Sequence, residues 1–68
     1  MSKYDWSNVA DDILWVATDK SGIRCEYRKE PSLGVRSWKF KDDDDLGDCY
    51  FDSTYMDNWQ DSLEERPK

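Results

Sequence analysis

Four consecutive aspartates, Asp42 to Asp45, with Asp48 close behind, form the densest group of potential ligand side chains in this 68-residue sequence. Carboxylates at spacing two with a glycine at the sixth position open an EF-hand calcium loop. Counted from Asp42, the residues Asp42, Asp44 and Gly47 fit, but the fifth position is Leu46 and the twelfth is Ser53 instead of a bidentate glutamate. The calcium pattern therefore fails at two ligands. Paired carboxylates also serve acid–base catalysis where a partly dry pocket separates their pKa values, and a small sheet has little interior for one. There is no histidine, which removes Ser-His-Asp and Cys-His nucleophilic chemistry. Zinc needs two ligands beyond Cys25 and Cys49, and the glycines Gly22, Gly34 and Gly47 stand apart instead of forming a phosphate loop. The expectation is a protein without catalytic residues, cofactor or metal. The two cysteines allow one disulfide or two free thiols; reduced thiols are expected, because small bridge-dependent scaffolds carry four or more cysteines.

The chemistry that remains is recognition. The formal net charge is −6, and it is unevenly placed: residues 1 to 41 carry eight basic and six acidic groups, residues 42 to 68 two basic and ten acidic. Such a chain repels phosphate backbones, which argues against direct nucleic-acid binding. An acidic interaction surface is expected from Asp42, Asp43, Asp44, Asp45, Asp48 and Asp52, extended by Asp57, Asp61, Glu64 and Glu65. Ten of the residues are aromatic, which argues for a folded core over disorder. Most of these rings should be core, with Trp15, Tyr27, Trp38, Phe40, Phe51, Trp59 and Leu63 as structural anchors. Tyr4, Trp6, Tyr50 and Tyr55 are the rings expected to stay partly exposed, and aromatic side chains of this kind dominate binding hot spots.

These residues need a scaffold, and the length bounds it to one small domain, residues 1–68. Residues 1–11 read as a lead-in with one helical turn at most. Residues 12–55 read as an antiparallel sheet. Ile13 to Thr18 is a β-branched and aromatic run bounded by acidic residues, a central strand covered on both faces. Asp19-Lys20-Ser21-Gly22 has the chemistry of a type I turn closed by a positive-φ glycine. Ile23 to Arg28 alternates strictly, with Ile23, Cys25 and Tyr27 facing the core and Arg24, Glu26 and Arg28 facing solvent. Pro31 and Gly34 break the pattern before a strand from Val35 to Lys41. Residues 42–48 read as a loop, because adjacent like charges oppose regular structure, and Cys49 to Tyr55 as a fourth strand with Cys49, Phe51 and Tyr55 inward. In residues 57–65, Asp57 or Asn58 caps a short helix that sets Trp59 and Leu63 four apart on one face and ends before Pro67. The fold class is thus α+β, mainly β: an antiparallel sheet of about four strands in a β-meander with a short C-terminal helix packed on it. No run of ten uncharged apolar residues exists and the N-terminus lacks the apolar stretch of a signal peptide, so no membrane association and a cytoplasmic location are expected.

Asp5-Trp6-Ser7, Trp15 to Asp19 closed by Gly22, Tyr27, Pro31, Trp38 and the closing stretch Asn58 to Pro67 resemble the small acidic uncharacterised proteins encoded by tailed phages and prophages. The most specific part is the ending W-x-D-S-L-x-x-R-P, carried here by Trp59, Asp61, Ser62, Leu63, Arg66 and Pro67. Many relatives have a proline soon after the first Trp-Ser, where this chain has Val9-Ala10. The resemblance brings no activity; it implies a protein made in an infected bacterial cytoplasm. Three functions follow as expectations: an accessory protein, monomer or homodimer, that binds and modulates or inhibits a host or rival-defence protein; a nucleic-acid mimic that occupies a nuclease, restriction or CRISPR effector, or polymerase; and a structural or assembly component of the phage particle.

Overall fold

The computed structural model describes residues 3–51 and 58–67. Six strands occur there: β1 (Trp15–Thr18), β2 (Ile23–Tyr27), β3 (Ser32–Leu33), β4 (Trp38–Lys39), β5 (Leu46–Phe51) and β6 (Glu64–Glu65), with single 3-10 turns at Asp43–Asp45 and Trp59–Asp61. Four strands form an antiparallel sheet in the order β5-β2-β1-β6, and β3 pairs with β4 as a separate two-stranded ribbon. The mainly β class and the four-stranded antiparallel sheet are as the sequence implies.

The centre is the β1–β2 hairpin. Its turn forms at Asp19 to Gly22, where the Gly22 amide donates to the Asp19 carbonyl at 2.9 Å and Gly22 takes φ +91°, a value that suits glycine. β1 is covered on both faces, with Val16 and Ala17 each fully buried on opposite sides. Below Val16 lies the N-terminal segment, which folds back so that Tyr4, Val9 and Ile13 form one apolar cluster with Trp6 packed against it. Above Ala17 lie Cys25, Tyr27 and Trp38, flanked by Trp15, Ile23, Leu46, Trp59 and Leu63. Each large side chain taken fully out of water in these clusters contributes roughly 1.5–3 kcal/mol.

Several expectations are corrected. The sheet is not a meander: the segment after β2 leaves as the β3–β4 ribbon, and β5 returns to pair with β2. The expected strand from Val35 to Lys41 narrows to Trp38–Lys39, and the fourth strand begins at Leu46 instead of Cys49. Its expected continuation through Asp52 and Tyr55 lies outside the described residues. The expected helix at 57–65 is one 3-10 turn followed by β6; Glu64 and Glu65 pair with Val16 and Trp15, because a two-turn helix is marginal on its own and the edge of β1 offers backbone partners. Arg24 and Glu26 are buried, not solvated, since the lead-in covers that face of β2. Cys25 and Cys49 are not free: they sit opposite each other in β2 and β5 with Cα atoms 4.1 Å apart and form a disulfide.

The closing motif explains itself here. The Arg66 amide donates to the Leu14 carbonyl at 2.7 Å, one step beyond the β1–β6 pairs, and its guanidinium donates to the carbonyls of Ile13 at 2.8 Å and Ala10 at 2.6 Å while lying 4.9 Å over the Trp6 ring. At the other end of the ladder the strand has turned away, and the fully buried Ser62 hydroxyl takes its place. It accepts from the Thr18 amide at 2.8 Å and lies 3.0 Å from the Thr18 carbonyl. The Thr18 hydroxyl in turn meets Tyr4 Oη at 2.8 Å. One serine thus joins the C-terminus, the central strand and the N-terminal lead-in. Ser62→Ala leaves the Thr18 amide buried without its acceptor, so urea denaturation should show a loss of about 1–3 kcal/mol, against a total of roughly 3–10 kcal/mol for a chain this size. An unchanged midpoint would show that the hydroxyl is dispensable.

Candidate functional site

The acidic segment splits into two roles. Asp45 is buried: its carbonyl accepts from the Arg28 amide at 2.6 Å, its carboxylate accepts from the Asp42 amide at 3.4 Å, and Lys29 Nζ stands 4.0 Å away. It holds the 3-10 turn and belongs to the fold. Asp42, Asp43, Asp44 and Asp48 are exposed, and among the described residues none of their carboxylates is in an ion pair. Arg28 tethers this segment through its backbone, donating to the carbonyls of Asp44 at 2.9 Å and Leu46 at 3.0 Å while its Nε meets Asp12 at 2.7 Å. That bond from Arg28 holds the Asp12 carboxyl below its ordinary range. The carboxylates are therefore displayed on a fixed turn, not on a free loop.

The aromatic set divides as well. Tyr4 is buried in the lower cluster and Trp6 is half-buried, its indole N–H donating to Glu64 at 2.8 Å. Both are architectural rather than available for docking. Tyr50 remains exposed on β5, and the Arg24 guanidinium lies between its ring, at 5.4 Å, and that of Tyr4, at 4.8 Å. Tyr55 and Asp52 lie outside the described residues. Of the expected anchors, Tyr27, Trp38, Trp15, Trp59 and Leu63 do line the upper cluster, and Trp38 meets Trp59 edge to face at 6.5 Å. Phe40 and Phe51 do not serve as buried anchors: Phe40 rests at the rim 6.2 Å from Tyr27, and Phe51 is 67% exposed at the end of β5. Leu33 and Val35 on the ribbon are exposed too, a feature the sequence pattern did not flag.

β5 therefore carries fixed carboxylates at its start and two large exposed rings at its end. Gly47 lies between them, and a Cβ there would stand 2.7 Å from Ile13 Cδ1 and 3.3 Å from the Glu26 carbonyl, so the buried Ile13 side chain would have to shift. Among the described residues there is no group of three or more side chains able to hold a metal ion, and no helix long and apolar enough to cross a membrane. Comparison with protein-family models, curated proteins and solved structures finds no match to this chain.

Beneath this surface lies Glu26, whose burial pushes its carboxyl above the usual range; Asp48 and Asp12 add to the rise and Arg24 and Arg66 oppose it. A raised folded-state value means the native protein holds the proton longer than the unfolded chain, so stability falls as pH rises from the ordinary glutamate range through the raised value. Glu26→Gln should melt higher than the parent at pH 7, with the difference closing below about pH 3, where both states of the parent are protonated. A lower melting temperature at pH 7 would show that Arg24 and Arg66 outweigh burial.

Proposed function

We propose that this chain is a small acidic phage-type accessory protein that binds and modulates or inhibits a host or rival-defence protein, without catalysis, in the bacterial cytoplasm. The observation that carries the reading is the run from Asp42 to Phe51, where exposed Asp42, Asp43, Asp44 and Asp48 precede exposed Tyr50 and Phe51 on one ordered segment. Carboxylates steer a partner of opposite charge, and large rings supply the contact energy once it is docked. The likeness to phage-encoded proteins supports the setting. In a reducing cytoplasm glutathione and thioredoxin keep such thiols open, so there β5 is held by its ladder to β2 and by Leu46 in the upper cluster.

The nucleic-acid mimic is a second reading, favoured by the absence of ion pairs at those four aspartates among the described residues. The two readings part on salt and on side chain. With the partner captured from a bacterial lysate on the full chain, Phe51→Ala should weaken binding by about 2 kcal/mol or more, whereas asparagine at 42, 43 and 44 should slow association and leave much of the affinity. A steep salt slope abolished by the asparagine variant, with Phe51→Ala neutral, would make the protein a mimic. Co-purification with phage particles and no captured partner would overturn both.

A further inference from the structure

The two edges of the sheet are built differently. β6 is only two residues long, both glutamates, and Pro67 follows closely, devices that keep an edge from recruiting another strand. β5 spans six residues, Leu46–Phe51, with neither lysine nor proline, and is the terminal strand in the sheet order. Its backbone orientation follows from the register. The Asp19 amide donates to the Ile23 carbonyl at 2.8 Å, so Ile23 and, two residues on, Cys25 direct their peptide groups toward β1. Arg24 then faces β5 and bonds with Tyr50, its register partner. The 4.1 Å Cα separation of Cys25 and Cys49 is the short spacing of a pair without mutual hydrogen bonds. Cys49 and Phe51 therefore turn their N–H and C=O groups outward, and among the described residues no strand pairs with that side.

We propose that the outer edge of β5 receives an extended segment of a protein partner as a further strand, one that alternates basic and apolar residues and so sets cations near Asp44 and Asp48 and an apolar side chain against Phe51. Backbone bonds to Cys49 and Phe51 supply the pairing, and the carboxylates select the charge. A second copy of this chain fits less well, since it brings another −6 to the same surface. The ladder to β2 and Leu46 in the upper cluster hold β5 in place before binding, which lowers the ordering cost of adding a strand. This inference deepens the binding reading above and rests on it.

The test uses the full chain under reducing conditions, a capped hexapeptide alternating lysine and valine, and the same peptide with proline in place of its central valine. The alternating peptide should slow amide exchange at Cys49 and Phe51, and the proline peptide should bind about tenfold or more weakly because it cannot complete the ladder. Slow exchange of those two amides before peptide is added would show the edge already occupied and overturn the proposal, as would a dimer of the chain alone in sedimentation. Equal binding of both peptides, weakened by asparagine at 42, 43 and 44, would sink strand addition while leaving acidic docking standing. Binding of neither peptide would overturn the inference without touching a partner captured through Phe51.

Discussion

β1 has both faces and both edges occupied, and the rest of the structure is arranged to make that possible. A chain of 68 residues has too little apolar surface for one large core. Here it makes two small clusters that share a strand: Val16 closes the lower one and Ala17 the upper one. Neither cluster is self-sufficient. The lower needs the lead-in residues Tyr4, Val9 and Ile13, and the upper needs Trp38 from the ribbon and Trp59 from the C-terminal turn. The polar links follow the same logic. Asp19 accepts from the Trp38 amide at 2.9 Å, tying the hairpin turn to the ribbon, and its partial burial raises its carboxyl against that bond's lowering effect. Lys3 donates to the carbonyls of Asp61 and Leu63, tying the lead-in to the C-terminal turn.

This arrangement also decides where recognition is possible. The strand interior is spent on stability, so residues with no packing duty fall at the periphery, on β5 and on the ribbon. The carboxylates of Asp43, Asp44 and Asp48 are exposed and form no ion pair among the described residues, while Asp42 and Asp45 cap each other in the turn that displays them. Phe51 covers Gly22, where a Cβ would stand 3.1 Å from its ring, yet most of the ring remains in solvent. Exposed large rings beside a fixed negative patch are what a small binding surface needs, because rings carry energy and charge carries orientation.

The hairpin was legible because its signals are local: a β-branched run, an Asp-x-x-Gly turn, then strict alternation. The burial of Arg24 and Glu26 was not, because alternation reports two faces and says nothing about a lead-in that folds back over one of them. Residues 57–65 carry helix-like spacing at Trp59 and Leu63, but the unfilled edge of β1 overrode that weak preference and drew Glu64 and Glu65 into a strand. The same edge gives meaning to the closing motif: Ser62 and Arg66 are ladder positions, invisible to any scan for catalytic or ligand chemistry. The disulfide needed the β2–β5 register, which connects residues on either side of the whole ribbon. The acidic turn was visible as a surface, but Asp45 as a structural member was not, since four consecutive carboxylates look alike until backbone partners are assigned.

Hydrogen exchange at the Thr18 amide tests the account most directly. That amide sits beyond the last backbone pair of β1 with β6, and its acceptor is the Ser62 hydroxyl. If β1 is the shared centre, Thr18 should exchange as slowly as Val16 and only by global unfolding, with the same denaturant dependence for both. Exchange of Thr18 at the rate of the exposed turn residue Ser21, while Val16 stays protected, would contradict it.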